Sequence, residues 1–100
     1  MLNQVVMVGR IIESLELKEV EGKKVCNTKL AVQRSYKNEE GIYEVDFIPV
    51  TLTGGIAENI SEYCKKGDLV GIKGSLTIVD EKLEVKIDKV TYLSSQKEAA

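Results

Sequence analysis

The chain has 100 residues, 43% of them hydrophobic, with 14 basic and 16 acidic side chains, a net charge of −2 and no histidine. That length suits one compact domain with no room for a second. No apolar run approaches the roughly 18 residues of a membrane span, and the opening MLNQVVMVGR lacks the basic and long apolar regions of a signal peptide, so a cytoplasmic protein is expected.

Val5, Val6, Met7, Val8, Ile11, Ile12, Leu15 and Leu17 make the stretch from Asn3 to Leu17 a long first strand. Gly9 interrupts it, and the apolar phase shifts across this residue, which predicts a bulge and the strong curvature of a barrel strand. Glu21-Gly22 marks a turn. From Val25 to Tyr36 the residues alternate, with Cys26, Thr28, Leu30 and Val32 on one face and Asn27, Lys29, Ala31 and Gln33 on the other, so a half-buried second strand follows.

The polar run Lys37-Asn38-Glu39-Glu40-Gly41 reads as a hairpin loop, and Ile42 to Thr53 returns as a third strand. Pro49 removes one backbone donor there, which favours an edge or a bulge. After Gly54-Gly55 the apolar residues Ile56, Ile60, Tyr63 and Cys64 fall at helical spacing, predicting one short helix from Ile56 to Lys66. Gly67 suits its C-terminal cap, with Lys65 and Lys66 at the negative end of the dipole.

Leu69 to Val79 and Leu83 to Leu93 complete the pattern as two strands joined across Asp80-Glu81-Lys82, and the residues after Leu93 read as a short frayed tail. Five strands with one helix between the third and the fourth predict an all-β OB-fold barrel spanning residues 1–93. Cys26 and Cys64 are too few for a disulfide scaffold and lack the CxxC spacing of a metal or redox site, so two buried, inert thiols are expected.

Catalysis has little to work with. Without histidine the commonest general base and metal ligand are gone, and no GxSxG, P-loop or HExxH pattern is present. Glu39-Glu40 and Asp80-Glu81 lie in turns, where solvated surface is the simpler reading. A protein that is not an enzyme and needs no metal or cofactor is expected. The charge balance gives no whole-molecule attraction for polyanions, so any such binding requires positive side chains gathered on one face.

Four segments carry a resemblance: MLNQVVMVGRI at the start, LAVQRSY (Leu30 to Tyr36), DFIPV (Asp46 to Val50) and AENISEYCKKGDLVGIKGSL (Ala57 to Leu76). In this order and spacing the chain resembles bacterial single-stranded DNA-binding proteins from Met1 to Leu93. The resemblance implies sequence-independent binding of single-stranded DNA in replication, recombination or repair, through a basic groove with aromatic stacking, by a homo-oligomer, tetrameric or alternatively dimeric. Every base has a π-face, so a ring contributes about 1 to 3 kcal/mol per stacked base without reading its identity.

By that resemblance Tyr36 and Phe47 match stacking positions, and Arg10, Arg34, Lys37, Lys66 and Lys73 match or adjoin the DNA-facing surface. Each has a plainer reading, Phe47 and Tyr36 as core and each cation as solvated surface. Relatives often carry an aromatic, glycine and lysine where this chain has Thr53, Gly54 and Gly55, and many have a longer, basic fourth-to-fifth-strand hairpin, so a third stacking site is expected to be missing. The acidic tip through which most bacterial members dock replication or repair partners is also missing before Ala100; either the sequence stops short of it or this is a short accessory or mobile-element form. The alternative is an OB-fold adaptor for other proteins, or a primosomal-type accessory protein with weak DNA binding, which the lost aromatics and negative charge favour.

Overall fold

The computed structural model describes residues 2–94. Its elements are β1 (Val5–Ile11), β2 (Leu17–Val20), β3 (Lys23–Lys37), β4 (Tyr43–Thr53), α1 (Gly55–Tyr63), β5 (Leu69–Val79) and β6 (Lys82–Ser94). The strands run in the order β1-β5-β6-β4-β3-β2, and β1 also pairs with β3. That last pairing closes β1, β5, β6, β4 and β3 into a five-stranded barrel, with the helix after the third barrel strand. The tail expected after Leu93 loses its first residue to the sheet, since Ser94 ends β6, and the remainder, 95–100, lies outside the described residues.

The alternation read from the sequence sets the inside. Ile11, Cys26, Leu30, Val50, Leu52, Val70, Ile72, Val85 and Ile87 point into the barrel, and Ala57, Ile60 and Cys64 of α1 close one end. Both cysteines are free and buried. Burial pushes the Cys26 thiol up, and burial followed by the nearby Asp68 charge pushes Cys64 up to about 11, so neither is a thiolate at neutral pH.

The single first strand expected from Asn3 to Leu17 is two strands. β1 stops at Ile11, and Leu17–Val20 forms a separate hairpin with β3 across the Glu21-Gly22 turn, whose positive φ values of 50° and 82° suit a tight hairpin. The bulge expected at Gly9 is also absent, because the β1–β5 register runs unbroken from Val5 to Arg10. Gly9 answers a different need. A Cβ there would lie 3.0 Å from Leu30 Cβ and 3.1 Å from Val32 Cγ2, where β1 crosses from β5 to β3.

The helix is shorter than its spacing predicted. Cys64 is already extended (φ −118°, ψ 158°), although its N–H still reaches Ile60 O. The Asp68 carboxylate accepts the Lys65 N–H at 3.0 Å and so holds the following turn outside the helix. Lys65 and Lys66 therefore do not sit in the last helical turn, and Tyr63, expected on the apolar side, is exposed. Pro49 pairs with Lys29 on one side, while β4 meets β6 only at Val50 and Thr51, so the missing donor falls where the strand edge is open.

Register shifts lie elsewhere, between Gln33 and Lys37 on β3 and, against β6, between Leu69 and Val70 and between Lys73 and Gly74 on β5. A Cβ on Gly74 would run into the Lys86 carbonyl and lie 3.0 Å from Ile87 Cα, both backbone. Gly74→Ala is thus expected to cost about 3 kcal/mol or more of stability, at the upper end of overpacking. Gly71→Ala meets Leu93 Cδ1 at an ordinary 3.7 Å and should cost under about 1 kcal/mol. Denaturant midpoints of the two variants check this, and equal midpoints would refute it.

Candidate nucleic-acid interface

Strand parity that puts Leu30 and Ile48 inside puts their neighbours outside. Ala31 is the cross-strand partner of both Phe47 on β4 and Arg10 on β1, and Arg10 in turn faces Leu69 on β5. Phe47, Ala31, Arg10 and Leu69 therefore form one row across four strands. Beside it, Val45, Gln33 and Val8 line the same shallow hollow as Arg10, Ala31 and Leu69. A further row is Val6, Lys73 and Lys89 on β1, β5 and β6.

Phe47 is 61% exposed, so its ring belongs to this face and not to the core. Arg10 donates from Nη1 to Gly67 O at 2.7 Å, which ties its guanidinium to the turn after the helix. Lys66 lines a second hollow with Arg10, Ile11, Ile12 and Gly67, so these two cations adjoin. Among the described residues no carboxylate occupies a paired position in the rows running from Phe47 through Arg10 to Lys89, and exposed Asp88 stands unpaired in the β6 bulge beside Lys89. Acids return at the rim, where Glu13 and Glu84 border the depression that holds Asn27, Lys29 and Pro49.

Tyr36 and Arg34 occupy a different setting. Between the pairs Gln33–Val45 and Lys37–Tyr43, β3 carries two more residues than β4, so the arm bulges there. Arg34 grips Asp46 with two bonds, Nε to Oδ2 at 2.9 Å and Nη2 to Oδ1 at 3.0 Å, and Nη1 lies 3.2 Å from Glu44 Oε1. Asp46 and Glu44 alternate with Phe47 and Val45, which places this cluster on the other side of the ribbon. Its charge is thus committed to two carboxylates.

Tyr36, 63% exposed, lines a hollow with Arg34, Lys37, Asn38, Glu39, Glu40 and Glu44. Lys37 Nζ stands 5.6 Å from the Tyr43 ring centroid, a cation–π contact that orders the base of the loop. The Asn38 side chain caps that loop by accepting the Glu40 and Ile42 N–H groups at 2.9 and 3.0 Å. Apart from Tyr43, the rings of the β3–β4 arm thus lie in two environments, Phe47 among apolar and basic neighbours and Tyr36 beside a charged cluster.

Thr53, at the expected gap in the aromatic set, is half-buried opposite Val25. The hairpin between β5 and β6 is a two-residue turn, Asp80-Glu81, with φ values of 51° and 65°. An exposed aromatic contact occurs elsewhere: Tyr63 and Tyr92 meet edge to face at 6.4 Å between centroids, beside the helix. Lys89, which no local pattern in the sequence singles out, stands opposite Lys73.

The Arg34 hydrogen bonds hold the Asp46 carboxyl below its usual value. A depressed folded value means that this pair's contribution is complete above the ordinary carboxylate value, about 3.9, and is lost as pH falls through the lower folded one. In an NMR titration Asp46 should therefore titrate below that value in the native chain, and Arg34→Gln should raise its midpoint back toward it. A native midpoint at or above about 3.9 would show that the pair is not formed in solution.

Comparisons with known proteins agree with this architecture. Residues 2–94 match the model of the Single-strand binding protein family. Single-stranded DNA-binding protein 1 of Clostridium acetobutylicum is 38% identical over 109 aligned residues, covering 98% of this chain and 99% of that one. Single-stranded DNA-binding protein B of Bacillus subtilis is 43% identical over 77 residues, covering 76% and 68%. Among solved structures, a deletion mutant of the single-stranded DNA binding protein from Thermus aquaticus superposes with a TM-score of 0.75 at 24% identity. That match covers 93% of this chain and 51% of the Thermus chain, and at this identity it speaks for the fold.

Proposed function

The chain belongs to the single-strand binding protein family, and we propose that it binds single-stranded DNA along the outer face of the barrel that carries Phe47 and Arg10. One observation carries the reading. A chain with two more acids than bases places no carboxylate at the paired positions of the rows that expose Phe47, Arg10 and Lys73, which is the local gathering of positive charge that a polyanion needs.

In this reading Phe47 and Tyr36 supply stacking surfaces, and Arg10, Lys66, Lys73 and Lys37 neutralise phosphates. Stacking accepts any base and charge follows the backbone, so binding is indifferent to sequence. Arg34, held by Asp46 and Glu44, acts by fixing the arm that carries Tyr36. The work is binding rather than catalysis, in the cytoplasm and in the service of DNA replication, recombination or repair. No helix among the described residues is long and apolar enough to cross a membrane.

Self-association belongs to the same proposal. β3 pairs with β1 only at Arg10 and Ile11, so among the described residues Val5–Val8 have no strand on the side away from β5. An open edge of that kind is a template for a second strand. A copy of the chain paired there continues the sheet and places two binding faces in one particle.

Alanine variants separate stacking from core packing. Tyr36→Ala and Phe47→Ala are each expected to weaken binding of labelled oligo-dT by about 1 to 3 kcal/mol. Their unfolding midpoints should hardly move, since both rings are mostly exposed. Unchanged affinity in both variants would remove the stacking role and leave the adaptor alternative standing.

A further inference from the structure

Three of the chain's five aromatic residues, Tyr36, Tyr43 and Phe47, belong to the β3–β4 arm, and Tyr43 is the one without an assigned role. Along β4, Tyr43, Val45 and Phe47 are spaced two residues apart, so they stand on one side of the strand, 44%, 45% and 61% exposed. Glu44 and Asp46 stand on the other side. Glu44 is held there by Arg34 Nη1 at 3.2 Å and by Asn38 Nδ2 at 3.1 Å.

The cross-strand partners agree. Phe47 pairs with Ala31, Val45 with Gln33 and Tyr43 with Lys37, and none of these six residues is an acid. The bulge between the last two pairs adds an even number of residues to β3, so it does not turn the strand over and Lys37 faces the same way as Gln33. Lys37 Nζ lies 5.6 Å from the Tyr43 ring centroid, so the two side chains share this side. A stripe results, with a ring at each end, a valine between them and a cation beside the outer ring. Through Val45 it is continuous with the hollow that holds Arg10.

From this geometry we propose that the single strand leaves Phe47 along β4 and stacks a further base on Tyr43, with Lys37 meeting the adjoining phosphate. The proposal rests on the reading that the face carrying Phe47 binds single-stranded DNA. Tyr43 then supplies a third stacking surface in a chain that has Thr53 at one expected position and a two-residue turn at another. Four residues of strand separate the two rings by about 13 Å, so each holds its own base. The other role for Tyr43 is to brace the loop through Lys37. Exposure argues against it, because a bracing ring gains by burial and Tyr43 leaves nearly half its surface in water. Asn38 already caps that loop through the Glu40 and Ile42 N–H groups.

The chain contains no tryptophan, so Tyr43→Trp places a single reporter at this position. Titrated with oligo-dT, its emission should be quenched as a base stacks on the indole. Tyr43→Ala should weaken oligo-dT binding at least about fivefold, the lower end of the range for one stacked base, at an unchanged slope of log K against log salt. Lys37→Gln should instead make that slope shallower by about 0.7. Unquenched emission at saturating DNA overturns the proposal, and so does an unchanged affinity of Tyr43→Ala. A Tyr43→Ala chain that binds as before but sediments as a different particle also overturns it, and assigns the ring to self-association. Phe47→Trp is the control for the underlying reading. If neither reporter responds, the strand does not cross this face at all. If only Phe47→Trp responds, the strand crosses the barrel and leaves the arm untouched, and the role of Tyr43 alone is refuted.

Discussion

Closure of the barrel at Gly9 is the constraint on which the rest depends. β1 must pair with β5 along most of its length and still reach β3 at Arg10 and Ile11, and the crossing leaves no room beyond the 3.0 Å between a Cβ at Gly9 and Leu30 Cβ. Once the ring is closed, strand parity leaves no freedom. Within the barrel the residues in phase with Ile11 and Leu30 face the core and those in phase with Arg10 and Ala31 face outward, while beyond Gln33 the β3–β4 arm shifts register and Tyr36, in phase with Leu30, is exposed. The binding face is the other side of the packing pattern, and it inherits the rigidity of that pattern.

Charge is then sorted by the same parity. Asp46 and Glu44 alternate with Phe47 and Val45 on β4, so the two acids fall on the opposite side of the ribbon, where Arg34 neutralises part of their charge. Lys73 and Arg10 alternate with Ile72, Gly74, Gly9 and Ile11, which carry no charge. A net charge of −2 is therefore compatible with a positive face, because the field that a phosphate feels within a Debye length of about 8 to 10 Å comes from local residues.

The aromatic set is sparse, and the structure gives the reason for each gap. Thr53 is half-buried against Val25 at the end of β4, next to a glycine at φ 66° that turns the chain into α1. The Asp80-Glu81 turn has the two positive φ values of a two-residue hairpin, which leaves no loop to reach over a bound strand. On the proposed reading, binding by two rings and a track of cations is weighted toward electrostatics, and so toward sensitivity to salt.

Local sequence patterns determined much of this protein. The alternation of Cys26, Thr28, Leu30 and Val32, the turn at Glu21-Gly22 and the helical spacing of Ile56 and Ile60 fix strands, turn and helix through periods of 2 and 3.6 residues, and their order specifies the barrel. The same strings misplaced β2, the end of α1 and the supposed bulge at Gly9, since apolar phase cannot distinguish a bent strand from two strands, or a helical turn from one held by the Asp68 carboxylate. Exposure of Phe47, commitment of Arg34 to Asp46 and Glu44, and the facing of Lys73 by Lys89 were decided only in three dimensions. Each depends on which residue of a distant strand stands opposite, and that register is set by closure of the ring, a long-range condition that no local stretch of sequence contains.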